Sequence, residues 1–415
     1  MHSNARFKPR NLRWFNRFLR WFFGAYLKAF FHIKPIGVEL FKELKGPFVL
    51  VPNHQGNLDP FMVGSFVPRP VYWVTSDGNM RSTVLKFLLR LVGSIPKSKA
   101  IPDLETVNWI VDVIRRRGGV VGVFAEGTAT WDGRTLPLVP STAKLVKLLK
   151  VPVVAAVMRG GYHSQPRWSF QPRRGYMEIE YKLVMDGAAA KAMPAEDILA
   201  AMQAALAHDE AAWAAERPHE YRSRRIARHL ELALFMCPAC GAVGGMRSHR
   251  DRLYCRRCGY VNRVGSDYRF APSGGFEPRF PTIPAWDDWQ SAAFRAYLLD
   301  PARPESAPLL SDSGVLLLRG RKMNPLLRLR TGTMCLYRDR VELTTLYGRR
   351  LAFPLDQIEG EGVLKHQRFE FYIGRALYQF RFPRRWQSGR KWLMAVGELK
   401  AARAAAAAAA AASAP

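Results

Sequence analysis

The chain has 415 residues, with 63 Lys and Arg against 34 Asp and Glu, a formal net charge of +29. That length allows about two to four domains, and so positive a balance asks for an anionic partner: membrane phospholipid, nucleic acid or an acidic carrier protein. Five cysteines, four of them clustered, exclude a secreted disulfide framework and favour a reducing cytoplasm.

No run of about 18 uncharged apolar residues occurs, so no spanning helix is expected, and the basic N-terminus lacks the small-residue cleavage site of a signal peptide. Residues 1–35 instead hold an amphipathic segment. Arg13, Arg17, Arg20, Gly24 and Lys28 fall on one narrow helical stripe, and aromatic residues from Trp14 to Phe31 cover the rest. Such a helix suits a membrane interface, and packing on a protein core is the alternative.

From residue 36 to 222, short apolar strands alternate with amphipathic helices. Strands are expected at 48–51, 71–75, 120–124, 151–158 and 177–183, and helices at 60–66, 82–92, 103–116, 141–149 and 194–214. The alternation predicts an α/β sheet with covering helices. Its first strand runs into Pro52-Asn53-His54-Gln55-Gly56-Asn57-Leu58-Asp59-Pro60, where Asp59 and Pro60 are expected as helix N-cap and first helical residue. If the Gly56 turn lets them face, Asp59 accepts a hydrogen bond from one imidazole nitrogen of His54 and leaves the other as a base. A turn histidine beside an ordinary N-cap is the alternative. A later strand leads into Phe124-Ala125-Glu126-Gly127-Thr128.

N-H-x-x-x-x-D followed by strand-then-E-G-T resembles the glycerolipid acyltransferase family, of the lysophosphatidic acid acyltransferase type. The likeness implies transfer of a fatty acyl group from acyl-CoA or acyl carrier protein to a lysophospholipid hydroxyl, with no catalytic cofactor. His54 would be the base and Asp59 its orienter, with Gly56 and neighbouring amides as oxyanion donors. Glu126, Gly127 and Thr128 would hold the acceptor. Where the family carries an Arg for the acceptor head group, Lys97 and Lys99 are the cations in reach. The third motif has Ala125 and Ala129 in place of the family's Pro and Arg, and Arg134 is the nearest substitute. An apolar V-P strand survives at Val151-Pro152.

Cys237-Pro-Ala-Cys240, fourteen residues, then Cys255-Arg-Arg-Cys258 reads as a four-cysteine zinc ribbon over 232–265, a closed and therefore structural site. Residues 266–313, rich in Pro and Gly, are expected as a linker with one helix at 285–299. Residues 314–400 read as seven short strands closed by a helix at 388–400, which looks like a small all-β, barrel-like pleckstrin-homology module. Cys335 is expected as a buried small hydrophobe, and the tail 401–415 as Ala-rich, helical or frayed. The whole reading is a peripheral enzyme on the cytoplasmic face of an anionic membrane. A non-catalytic lipid binder on the same fold is the first alternative, and a zinc-ribbon nucleic-acid binder stands behind it.

Overall fold

The computed structural model describes residues 12–98 and 103–412, so Lys99 lies outside the described residues. The chain divides into two compact units. One runs to Ser223 without Trp168–Phe170, and the other comprises Trp168–Phe170 and the chain from Arg224.

The first unit runs α1 (Arg13–Phe31), β1 (Ile33–Ile36), α2 (Leu40–Glu43), β2 (Phe48–Pro52), α3 (Asp59–Gly64), β3 (Val71–Ser76), α4 (Thr83–Leu91), β4 (Ile95–Lys97), α5 (Leu104–Val111), β5 (Val120–Gly122), α6 (Pro140–Leu149), β6 (Val153–Arg159), α7 (Gly161–Ser164), β7 (Met177–Met185), α8 (Gly187–Ala192), α9 (Ala195–Leu206) and α10 (Glu210–Glu216). Its seven strands form one sheet in the order β1-β7-β6-β2-β5-β3-β4. β2 pairs in parallel with both β5 and β6, and β3 in parallel with β5 and β4, whereas β7 runs antiparallel to β6. β2 is buried along its whole length, as its unbroken apolar run requires of a central parallel strand covered on both faces. Alternate residues serve opposite cores. Val49 and Val51 pack with Ile110 of α5, Val146 of α6 and Met202 of α9. Phe48 and Leu50 pack with Leu27 of α1, Phe41 of α2 and Met62 of α3.

Several elements differ from expectation for local reasons. β1 (Ile-Lys-Pro-Ile) and β4 (Ile-Pro-Lys) each contain a proline and lie at the two sheet edges, where a missing N–H is tolerated. The strand expected to reach Phe124 ends at Gly122, which frees Phe124 for the loop above. Gly122 is required there because a Cβ would run into the Trp73 indole. The single helix expected over 194–214 is two, and Asp209 caps the second by accepting from Ala211 N at 2.8 Å and Ala212 N at 3.0 Å.

α1 has the expected composition, but its cationic stripe is partly engaged by the protein, with Arg17 and Lys28 left exposed. Arg20 Nη1 donates to Pro68 O at 2.9 Å, and Gly24 packs against Ser65. Leu27 and Phe31 enter the core. The aromatic side is left outward, with Trp14 69% and Trp21 72% exposed beside Phe18, Phe22 and Tyr26. Among the described residues, no helix is long and apolar enough to cross a membrane.

The second unit holds two antiparallel sheets. β8 (Met246–His249), β9 (Arg252–Cys255), β10 (Val261–Val264) and β11 (Phe270–Pro272) form a four-stranded sheet. After α11 (Ile283–Leu299), the strands β12 (Leu310–Gly320), β13 (Leu327–Leu336), β14 (Arg340–Thr345), β15 (Arg350–Pro354), β16 (Glu359–Leu364), β17 (Arg368–Ile373) and β18 (Ala376–Arg381) make a seven-stranded sheet ordered β15-β14-β13-β12-β18-β17-β16, and α12 (Gly389–Ala412) follows. The segment 266–313 is not a linker. β11 pairs with β10, and Phe294, Leu298, Leu309 and Leu310 belong to the same core as Phe371 and Trp392. Asp287 on α11 receives both guanidinium nitrogens of Arg390 on α12, at 2.7 and 2.6 Å. Pro and Gly suggested a linker only because they break periodicity, which a packed loop also does. Cys335 is half-buried rather than buried, and faces Ser311 Oγ at 3.7 Å across the β12–β13 ladder.

Candidate active site

β2, β5, β3, β4 and β6 are parallel, so their carboxyl ends share one edge of the sheet, the usual place for ligands in such folds. His54 follows β2 there. Asn53 anchors the turn by gripping β6: its Nδ2 donates to Met158 O at 3.0 Å, and its Oδ1 accepts from Met158 N at 2.8 Å.

His54 Nδ1 lies 2.8 Å from Asp59 Oδ2. Asp59 also accepts from Gln55 N at 2.7 Å and from Gly56 N at 2.9 and 3.0 Å. A carboxylate with this many donors is acceptor-only, so Nδ1 carries the proton and Nε2 is the free lone pair. The expectation that Asp59 would cap α3 is corrected. Leu58 is the N-cap, Asp59 is the first helical residue, and its side chain turns back onto the loop instead. The Gly56 amide is thereby committed to Asp59 and is not a spare oxyanion donor. The imidazole lies against Phe124, tilted by 30° with ring centres 4.2 Å apart, and Phe124 stacks on Trp73 at 5.2 Å. The His54 side chain keeps 22% exposure, enough to meet a substrate.

Glu126 joins the two motifs. Its Oε1 accepts from His54 N at 2.6 Å and its Oε2 from Leu136 N at 2.8 Å. Burial pushes its carboxyl up to about 8, against the pull of the Leu136 and His54 amides, and the charges of Asp59 and Asp132 add to the rise. A raised carboxyl favours the protonated folded state. Its contribution to stability is therefore full below about 4.5 and is lost as pH climbs to about 8. Urea midpoints should fall over that window in the wild type and fall less in Glu126→Gln, where the buried Glu231, pushed up to about 7, still contributes. Parallel profiles would show that Glu126 does not titrate there.

The other expected contacts divide. Gly127 makes the turn, with φ +69° and its N–H on Phe124 O. Thr128 is held by a residue the sequence reading missed, Arg167, whose Nη1 donates to Thr128 Oγ1 and to Ala129 O, both at 2.6 Å, while its Cζ sits 4.5 Å over the Trp131 ring. A cation thus reaches the loop in which Ala129 stands where an arginine was expected from the resemblance. Arg167 follows Pro166 in an aperiodic stretch, so no sequence pattern pointed to it. Arg134 is paired with Asp132, Nε to Oδ2 at 2.6 Å. Lys97 is exposed at the end of β4, three strands from β2 and so about 14 Å away along the sheet. Gln55 was also missed. Its Nε2 donates to Met158 O at 3.1 Å and to the fully buried Glu210 at 3.2 Å, pinning the histidine loop from behind.

In the second unit, Cys237, Cys240, Cys255 and Cys258 bring all four Sγ atoms within 4.8 Å of one another. Cys237–Cys258 and Cys240–Cys255 are 3.7 and 3.8 Å apart. Tetrahedral zinc with Zn–S of about 2.3 Å demands S–S separations of about 3.8 Å. Each cysteine pair closes on a glycine with positive φ, Gly241 and Gly259, whose N–H returns to Cys237 O or Cys255 O at 2.9 and 3.1 Å. The residues fit a metal.

Comparison with known proteins bears on the first unit. Residues 32–159 match the acyltransferase family model. The 1-acyl-sn-glycerol-3-phosphate acyltransferase of Saccharomyces cerevisiae is 28% identical over 131 residues, 30% of this chain and 42% of that protein; the chain thus spans less than half the length of this curated relative. The crystal structure of the 1-acyl-sn-glycerophosphate acyltransferase from Thermotoga maritima matches at a TM-score of 0.38 and 16% identity, over 46% of this chain and 78% of that one. The stretch that matches the acyltransferase family model, residues 32–159, contains His54, Asp59 and Glu126.

Proposed function

We propose that the chain transfers a fatty acyl group from a thioester donor, acyl-CoA or acyl carrier protein, to the hydroxyl of a lysophospholipid. The observation that carries this is the linked trio His54, Asp59 and Glu126 at the carboxyl edge of the sheet. His54 Nε2 takes the proton of the acceptor hydroxyl as its oxygen bonds to the thioester carbon. The tetrahedral adduct then breaks its C–S bond, and the imidazolium returns the proton to the leaving thiolate. Asp59 holds the ring in the one tautomer that permits this. Glu126, Gly127 and Thr128 shape the acceptor side. Arg167 supplies a cationic fork beside Thr128, in reach of a phosphate; Lys97 and Arg134 stand further out. Acyl incorporation by the full chain into a lysolipid panel tests the reading, with lysophosphatidic acid and lysophosphatidylcholine as the informative pair. No incorporation into any member would end it.

The protein works at a membrane surface in this proposal, on its cytoplasmic face, through the outward aromatic side of α1. Full burial of a large apolar side chain is worth about 1.5–3 kcal/mol, so Trp14→Ala with Trp21→Ala should cost about tenfold or more in vesicle partition. The loss should persist in high salt, which screens only the basic residues. Co-sedimentation that is unchanged in the double variant would remove α1 as the anchor. The four cysteines hold a structural zinc ion as a ribbon, and the seven-stranded sheet with α12 is a pleckstrin-homology-like module for lipid or protein contact.

A further inference from the structure

The second unit contains a cleft that acyl transfer does not use. Its walls are Cys240 and the turn Gly241–Gly245, Arg247 on β8, Arg256 and Arg257 between the second pair of cysteines, Tyr297 on α11 and Arg303 in the loop after it. Its volume is about 760 Å³, within the ~300–1,000 Å³ of ordinary small-molecule sites. Four arginines line it and no acidic residue does.

Two of these arginines are held in place. Arg247 Nη1 donates to Gly244 O at 2.9 Å and to Met246 O at 2.6 Å, and its Cζ lies 3.5 Å from the centre of the Trp386 ring. Arg303 stacks on Tyr297 at 3.7 Å. Its Nε is buried without a hydrogen-bond partner, and Asp300 is 3.8 Å from it. Arg256 and Arg257 are exposed. Burial lowers the Arg247 pKa and the Arg256 charge adds to the fall; the carboxyls that oppose it, Glu231 and Asp312, do not line the cleft. Asp312 is taken by Lys391 Nζ at 2.9 Å and Trp392 Nε1 at 2.7 Å.

Like charges gathered in a concave wall repel one another and concentrate anions. Planar guanidinium forks fit phosphate oxygens two at a time. Gly241 and Gly244 both have positive φ and narrow the cleft with no side chain of their own, but their N–H groups are bonded to Cys237 O and Phe235 O, so the arginines are the donors. We infer that this cleft binds a phosphate ester of at least two negative charges, presented by a soluble metabolite or by a phospholipid head group.

The test uses the full-length protein with its metal content verified. Inorganic pyrophosphate is titrated calorimetrically, with chloride at equal ionic strength as the control. Saturable binding is expected that weakens with salt and falls roughly tenfold for each arginine removed. Arg256→Ala with Arg257→Ala is one variant. Arg303→Ala is a second that lies outside the cysteine knuckle, so loss of metal cannot account for its effect. Phosphatidylcholine vesicles with and without phosphatidic acid separate the two sources. Pyrophosphate binding alone assigns a soluble ligand, and a phosphatidic acid-dependent gain lost in both variants assigns a head group. Pyrophosphate affinity equal to that of the chloride control, with vesicle binding unaltered in the variants, overturns the inference. So does capture of a DNA or RNA oligonucleotide without pyrophosphate binding, which would make the cleft part of a nucleic-acid surface.

Discussion

His54→Ala should lower acyl transfer by about 10²–10⁴-fold, the usual cost of removing a general base, while leaving the fold intact. The substitution keeps the two main-chain bonds that matter at that position. Glu126 accepts from the His54 N–H, and the His54 carbonyl accepts from Thr130 N at 2.9 Å. Glu126 therefore stays clamped when the imidazole is gone. Asp59→Asn probes the tautomer. An Asn side chain offers one oxygen where the carboxylate now receives the His54 ring and the amides of Gln55 and Gly56. If its NH₂ turns to the ring, the proton moves to Nε2 and the base is lost. Rates on a lysolipid acceptor, with circular dichroism as the fold control, check both variants. Equal rates in wild type and His54→Ala would falsify His54 as the base.

Freshly reduced protein should carry about one equivalent of zinc, and Cys240→Ser should abolish its binding. The expected destabilisation of the second unit exceeds about 4 kcal/mol, a range typical of lost metals and disulfides rather than of surface changes. Four thiolates that hold each other at these distances without an ion would pay for their mutual repulsion or stay protonated, so metal loss should couple to unfolding of the cysteine turns and the β8–β11 sheet that frames them. The first unit has its own cores, so acyl transfer per folded molecule should change far less than thermal stability. Elemental analysis, with a melting curve before and after chelation, measures both. No metal in a freshly reduced sample sinks the zinc proposal.

The sequence by itself determined the elements whose signals are local. Apolar runs such as Phe48–Val51 mark buried parallel strands, and Gly and Pro mark the turns after them. Each C-x-x-C loop places its own pair of sulfurs, whereas the β8–β9 pairing brings the two pairs together. His54 and Asp59, five residues apart in one turn, were also legible. Contacts across the sheet were not. That Glu126 holds the His54 amide depends on β5 lying beside β2, although β3 and β4 intervene in the chain. Arg167 reaches Thr128 from an aperiodic loop, and Glu210 supports Gln55 only because the expected single helix breaks before it. Which side of α1 faces outward was likewise decided by packing, since Arg20 finds the Pro68 carbonyl and Gly24 finds Ser65. Local propensity sets where chain segments begin and end. Partners distant in sequence are chosen by the burial of whole faces, and that is a property of the assembled sheet alone.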